Sequence, residues 1–308
     1  MAAGAVVWVH TTHRDLGHAW ADLGRFGTAF FTLLVVYFVF RGVHVSRERR
    51  YGQYLAERAR RLYLPFIVWN LVTICLRWAG AHAAGEGLAV APVEWFIGAG
   101  GQLWFLPFAL ALCATCWPLA QLMRWSPRLG LGLAVVVGVL GVALAMVPPP
   151  VFSAYGECAF ILTRAWSVLP AACWGITLGH LLVRRPSAGF SHRVLLLGGA
   201  AVFATCIGLM WAYGNHSLTR NVAGLALMAM ALCEPRGPVL KKLGRLGKYS
   251  FGIFLIHYLI LAVLCRLPLW NWQPDVLRAA VLFSLVLGLS YLATRLLYAH
   301  RATQWLVR

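Results

Sequence analysis

The sequence predicts an all-helical, polytopic membrane bundle of about ten transmembrane spans, and three observations carry that prediction. Hydrophobic residues make up 61% of the chain. The stretches Trp95 to Met123, Leu129 to Gly156, Ala165 to Val183 and Val194 to Thr219 hold no Asp, Glu, Lys or Arg. Runs of about 20 such residues are long enough to cross a bilayer, whereas a soluble core helix shows a polar face every few residues. Finally, no ten-residue alternation recurs as a membrane β-barrel requires.

Charged and Pro/Gly-rich breaks divide the chain into ten spans near residues 1–13, 24–43, 62–79, 101–119, 129–147, 165–183, 193–213, 217–233, 247–266 and 276–297. The first opens on Val6-Val7-Trp8-Val9-His10 and is short, because Met1 to His10 rises only about 15 Å as a helix. It is either completed by residues this chain lacks or enters the bilayer partway. The second is an aromatic and aliphatic run from Phe30 to Phe38. A basic stretch, Arg58 to Arg61, leads into the third, where Pro65 starts or kinks the helix. The fourth to seventh are the uncharged stretches already named. Arg220 lies inside the eighth and leaves Asn221 to Cys233 uncharged after it. The ninth carries His257 between Ile256 and Tyr258, and the tenth ends near Arg295. The whole chain, 1–308, reads as one membrane domain without a soluble module, a long linker or a strong repeat. No cleavable signal peptide is evident, since residues 1–13 have no basic start and no small-residue cleavage site.

Short loops rich in Lys and Arg stay cytoplasmic. Segments that follow even-numbered spans hold 20 of the 27 basic residues, and the alternate set holds 7, namely Arg14, Arg25, Arg77, Arg164, Arg220, Arg266 and Arg278. Both termini are therefore expected in the cytoplasm, with His10 toward the outer half of the bilayer. The net charge of +18 borders hydrophobic spans, where it sets topology and meets anionic lipid, so nucleic-acid binding is not expected. The eight cysteines form no disulfide pattern. Seven fall inside spans, Cys158 falls in a loop, and Cys113 and Cys116, a C-x-x-C within an apolar helix, read as core packing.

An ionisable group within a membrane span is a functional candidate by default, which singles out His10 and His257. His10 is either a reactive imidazole or an interfacial histidine wetted by headgroups. His257 belongs either to a substrate cavity or to a structural hydrogen bond. Arg58 and Arg61 share a helix face and suit phosphate binding through bidentate forks, or they only mark a cytoplasmic boundary. His13 lies one turn from His10, but two histidines without a third ligand do not make a metal site. Arg14, Asp15, His18 and Asp22 make the first outer loop polar, an acceptor surface or a solvated loop. Trp104 and Phe105 are able to stack on a sugar or an adenine, or to pack in the core.

Five segments in order resemble the acyltransferase 3 family of membrane-bound bacterial O-acyltransferases. Val6 to His10 is similar to its first-span histidine motif, and Leu23-Gly24-Arg25-Phe26 through Tyr37-Phe38 to its second span. Arg58 to Trp69 resembles its basic stretch leading into Pro and Trp. Gln102-Leu103-Trp104-Phe105-Leu106 resembles its Leu-Trp-Phe-Leu motif, and Tyr249-Ser250 to Leu255-Ile256-His257 its late Ser-x-x-x-x-Leu-x-His span. The family's arginine eleven residues before the histidine falls upstream of Met1, and its usual Ser-Gly before Tyr37 is Val35-Val36 here.

The resemblance implies a bacterial inner-membrane enzyme that moves an acyl group, acetyl above all, from acyl-CoA to a hydroxyl of a carbohydrate or lipid-linked sugar. It implies His10 as catalytic base, Arg58 and Arg61 as donor-binding residues, and acetyl-CoA as cosubstrate, with no tightly bound cofactor and no metal. His257, Trp104 and Tyr37 are candidates for the substrate cavity. An imidazole with an ordinary pKa near 6.5 takes a proton from a sugar hydroxyl as it attacks a thioester, and an acetyl-imidazole relay is the other route. Two further readings stay open: a transporter or flippase in which His10, Arg220 and His257 line a path, and a non-catalytic relative.

Overall fold

The structure, a computed structural model, describes residues 2–16, 18–45, 50–87, 90–99, 101–150, 152, 159–184, 192–214, 216–232, 244, 246–267 and 275–307. The side chains of His13, Arg14, Asp15 and His18, and the whole of Cys158, lie outside the described residues. All the regular structure in them is helical: α1 (Ala2–Leu16), α2 (His18–Asp22), α3 (Phe26–Val45), α4 (Tyr51–Ala83), α5 (Glu94–Ile97), α6 (Phe105–Trp125), α7 (Pro127–Met146), α8 (Ala159–Arg184), α9 (His192–Tyr213), α10 (Ser217–Leu232), α11 (Ser250–Leu264) and α12 (Val276–Ala299), with two 3-10 turns at Gly247–Tyr249 and Gln304–Leu306.

Eight helical stretches, rather than ten, are long and apolar enough to cross a membrane. The two shortfalls are informative. Helices α1 and α10 have 15 and 16 residues, hence rises of about 22 and 24 Å against ~30 Å of hydrocarbon. The third expected span also changes: α4 is one helix of 33 residues that takes in the basic stretch, and Pro65 sits inside it rather than at its start. Local chemistry sets other boundaries. Ser126 accepts a hydrogen bond from the Leu129 N–H with Pro127 opening α7, and Asp275 accepts from the Arg278 N–H at the start of α12.

Helix α3 is the hub. It packs on α1, α6, α8 and α10, while α11 and α12 pair with each other and enclose α1. Small residues allow the close approaches, since lipid supplies no hydrophobic drive between helices and packing must do so. At Gly224 of α10 a Cβ would lie 2.9 Å from both the Ala29 Cβ and the Phe30 nitrogen of α3. Gly224→Val is expected to overpack this seam and cost about 1–3 kcal/mol, read as a lower unfolding midpoint of the purified protein in detergent. Lipid-facing surface is apolar, as along α7 at Val135, Val136, Val139 and Leu140, all exposed. Cys113 and Cys116 are buried against Val36, Val39 and Phe40, within the core.

The segment between α4 and α6 descends into the bundle. Arg77 Nη1 bonds Glu94 Oε1 at 2.7 Å, while Gly98 lies against Phe66, eleven residues or about 16 Å further along α4. Irregular backbone at that depth survives only if its polar groups are satisfied by protein. Asn70, 1% exposed, does this: its Nδ2 donates to the Glu94 carbonyl at 3.0 Å and its Oδ1 accepts from the Ala99 N–H at 2.6 Å. Gly98 has φ +97°, and a Cβ there would fall 2.5 Å from the Leu103 Cβ. The fourth span therefore begins as a helix only at Phe105, with Gln102, Leu103 and Trp104 delivered as a turn in the core.

Candidate active site

Helix α1 carries His10 into the bundle beside two fully buried threonines, whose hydroxyls are spent on their own helix: Thr11 donates to the Val7 carbonyl at 3.1 Å and Thr12 to the Trp8 carbonyl at 2.6 Å. His10 is half-buried. Its ring lies 5.3 Å from that of His257, tilted by 42°, and meets Tyr258 edge-on at 5.6 Å. His257 is fully buried, with Nδ1 3.2 Å from the Ile253 carbonyl oxygen. A carbonyl only accepts, so in the neutral ring Nδ1 carries the proton and Nε2 presents its lone pair. That Nε2 is buried and makes no hydrogen bond among the described residues. His257 thus makes the structural hydrogen bond to backbone on one edge and lies against His10, but it does not itself line the cavity beside His10.

A cavity of about 50 Å³ opens beside His10, lined in part by Gln102, Trp104, Arg25, Arg164 and Arg220. Such a volume holds one or two waters or the reacting end of a larger ligand. Trp104 lines it as expected. Gln102 is 3% exposed, and both its amide atoms are buried without a hydrogen bond among the described residues. This residue was not a sequence candidate, although it heads the Leu-Trp-Phe-Leu segment. Buried amide atoms without partners are rare, and a ligand in the adjoining cavity is a natural complement.

Three arginines also line the cavity: Arg25 in the turn before α3, Arg164 in the second turn of α8 and Arg220 in the first turn of α10. Arg25 Nε bonds Asp22 Oδ1 at 2.5 Å. Arg220, 9% exposed, donates from Nη2 to the Ser167 carbonyl at 2.9 Å, and the Arg164 guanidinium lies 4.9 Å from the Phe160 ring centroid. Three basic residues of the outer set, of which the sequence reading gave only Arg220 a candidate role, that of lining a transport path, here converge on one cavity.

The remaining candidates lie elsewhere. The Arg58 guanidinium sits 5.3 Å from the Tyr54 ring centroid, with its Nε buried, and Tyr54 in turn faces Cys113 of α6. Arg61, three residues on, is 63% exposed in its side chain and pairs with Glu57 at 2.9 Å. Arg58 looks inward and Arg61 outward. From Arg58 to Phe66, which packs in one cluster with Trp104 and Val6, is eight residues or about 12 Å along α4. Tyr37 does not line the cavity: it sits two turns after Ala29 on the stripe of α3 that faces Trp174 and Met228, and it meets Phe38 edge-on at 5.5 Å. Among the described residues no three His, Cys, Asp or Glu side chains gather to hold a metal.

A family model described as an acyltransferase domain matches residues 1–295, nearly the whole chain. No curated protein and no solved structure matches the chain.

Proposed function

The chain belongs to the acyltransferase 3 family and is a membrane acyltransferase, and from that premise we propose that it transfers acetyl from acetyl-CoA to a hydroxyl of a carbohydrate or lipid-linked sugar, with His10 as the base. The supporting observation is the pairing of His10 with His257 at the cavity that Gln102 and Trp104 line. In this reading a sugar hydroxyl gives its proton to His10 as its oxygen attacks the thioester carbonyl. The tetrahedral oxyanion then collapses, the C–S bond breaks, and the departing CoA thiolate takes the proton back from the imidazolium. Gln102 supplies an amide N–H to the developing oxyanion or orients the hydroxyl.

In this reading the donor's phosphates lie at the Arg58 end of α4 and its pantetheine arm runs inward past Phe66, about 12 Å along the helix, toward His10. By the distribution of basic residues, the Arg58 end is cytoplasmic, as are both termini, in the inner membrane of a bacterium.

The two donor arginines are expected to differ. Arg58 is inward-facing, and removing it deletes charge-assisted bonds of about 1.5–3 kcal/mol, so Arg58→Ala raises KM for acetyl-CoA roughly tenfold or more. Arg61 is exposed and paired with Glu57, so Arg61→Ala changes KM by less than about threefold. Steady-state release of free CoA thiol by protein in lipid nanodiscs measures both. Equal effects of the two substitutions would remove Arg58 from the donor site.

A further inference from the structure

We propose that the wall formed by Arg25, Arg164 and Arg220 binds an anionic group of the acceptor, a phosphate or a carboxylate, so that the acceptor is a charged glycan or a phosphate-linked sugar rather than a neutral one. This rests on the acyltransferase reading of the same site.

Charge balance is the first argument. Three arginines line a cavity within a membrane bundle, and among the described residues the one carboxylate bonded to any of them is Asp22, which pairs with Arg25. Uncompensated buried cations are costly, and arginines in such positions pair with one another's counter-ions or mark a path for charge. Among the described residues Arg164 and Arg220 have no carboxylate bonded to them, and in our proposal a ligand supplies the match.

Arg220 gives the second argument, because its fold role is redundant. Its single described hydrogen bond goes to the Ser167 carbonyl, which also accepts from Asn221 Nδ2 at 3.0 Å. Asn221 is fully buried and bonds the Ser217 carbonyl as well, at 2.7 Å, so it joins α10 to α8 without help. The Arg220 guanidinium is nine-tenths buried, lines the cavity, and keeps its Nε without a partner. A planar fork with free donors in a concave site is suited to an oxyanion, which it binds by two parallel bonds.

The third argument concerns which substrate brings the charge. In our reading CoA's phosphates belong to the Arg58 end of α4, which does not line this cavity, and the thioester itself is uncharged. The oxyanion of the transition state is a single oxygen, served by one or two N–H donors. Three guanidiniums exceed that need. The acceptor is the remaining partner, and its hydroxyl must reach His10 while its anionic group meets the arginines that line the same cavity.

Binding tests this without requiring turnover. Full-length protein in nanodiscs would be titrated calorimetrically with glucose 1-phosphate, glucuronate and glucose. We expect at least one charged sugar to bind about tenfold or more tighter than glucose, with the better of the two identifying phosphate or carboxylate as the source. The preference is expected to fall in Arg164→Gln and in Arg220→Gln and to persist in Arg220→Lys and in His10→Ala. Arg164 is half-buried and without a described ion pair, so its variant carries the test if Arg220→Gln does not fold. Equal binding of glucose and both charged sugars, or a preference that survives both glutamine variants, overturns the proposal. Charged-sugar binding without acetyl transfer to any acceptor would leave the arginine pocket standing and remove the acyltransferase reading instead.

Discussion

His10→Ala is expected to lower kcat for acetyl transfer by roughly 10² to 10⁴ while leaving the KM for acetyl-CoA nearly unchanged. The split follows from placement. His10 lines the small cavity, whereas the proposed donor-phosphate site is at Arg58, about 12 Å along α4 from Phe66 and outside the cavity lining. The imidazole therefore acts where the hydroxyl loses its proton and contributes little to holding CoA. His10→Gln, which keeps a hydrogen-bonding side chain but no base, is expected to match alanine rather than the native residue. On the proposed mechanism His257, whose ring lies 5.3 Å from that of His10, acts as a positioning residue: His257→Phe fills the same space, and the expected result is a smaller fall in kcat with an altered pH profile. A fall in KM-limited binding with kcat intact, for either His10 variant, would place the histidine in donor binding.

Asn70→Ala is expected to be the most damaging substitution remote from the cavity. The alanine leaves the Ala99 N–H buried without its 2.6 Å acceptor, at a cost of about 1–3 kcal/mol. The Glu94 carbonyl keeps the Gly98 N–H at 2.9 Å, so the loss falls on the inner part of the loop. That part positions Gln102 and Trp104, and a displacement of about 1 Å at a reacting centre costs on the order of 100-fold in rate. The expected result is a large fall in kcat with a modest fall in thermal stability. Asn70→Asp keeps the acceptor but sets a carboxylate oxygen against the Glu94 carbonyl, and is expected to be no better. Unaltered kcat in both variants would mean that the loop holds its place without the clamp.

The helices were legible because uninterrupted apolar runs leave a chain in lipid no other way to satisfy its backbone. His10, Trp104 and His257 were legible as well, since each is a polar or aromatic mark on an apolar background. Other features depended on tertiary placement. The uncharged stretch from Trp95 to Met123 looks uniform by composition, yet Gly98 and the buried Asn70 turn its first part into an irregular descent. A lone asparagine in the middle of an apolar span was the available signal. Arg164 entered the sequence reading only as a member of a topological set, Arg25 also as part of the second-span motif, and Arg220 also as a residue lining a transport path. Their convergence follows from the packing of α3, α8 and α10 against one another, which composition does not show. Tyr37 shows the limit of motif-based reading: its neighbours on α3 point to the α8 and α10 side, and that face packs rather than opens.

The central claim is that this chain breaks a thioester and places the acyl group on a hydroxyl, rather than moving a finished molecule across the bilayer. Reconstitution of the purified protein into sealed vesicles, with doubly labelled acetyl-CoA on the Arg58 side and a charged sugar acceptor on the other, tests it most directly. The account predicts free CoA thiol released on the donor side in proportion to acetyl appearing on the acceptor, with both lost in His10→Ala. Labelled sugar crossing the membrane with no thiol released and no CoA bound would contradict it and make the chain a transporter.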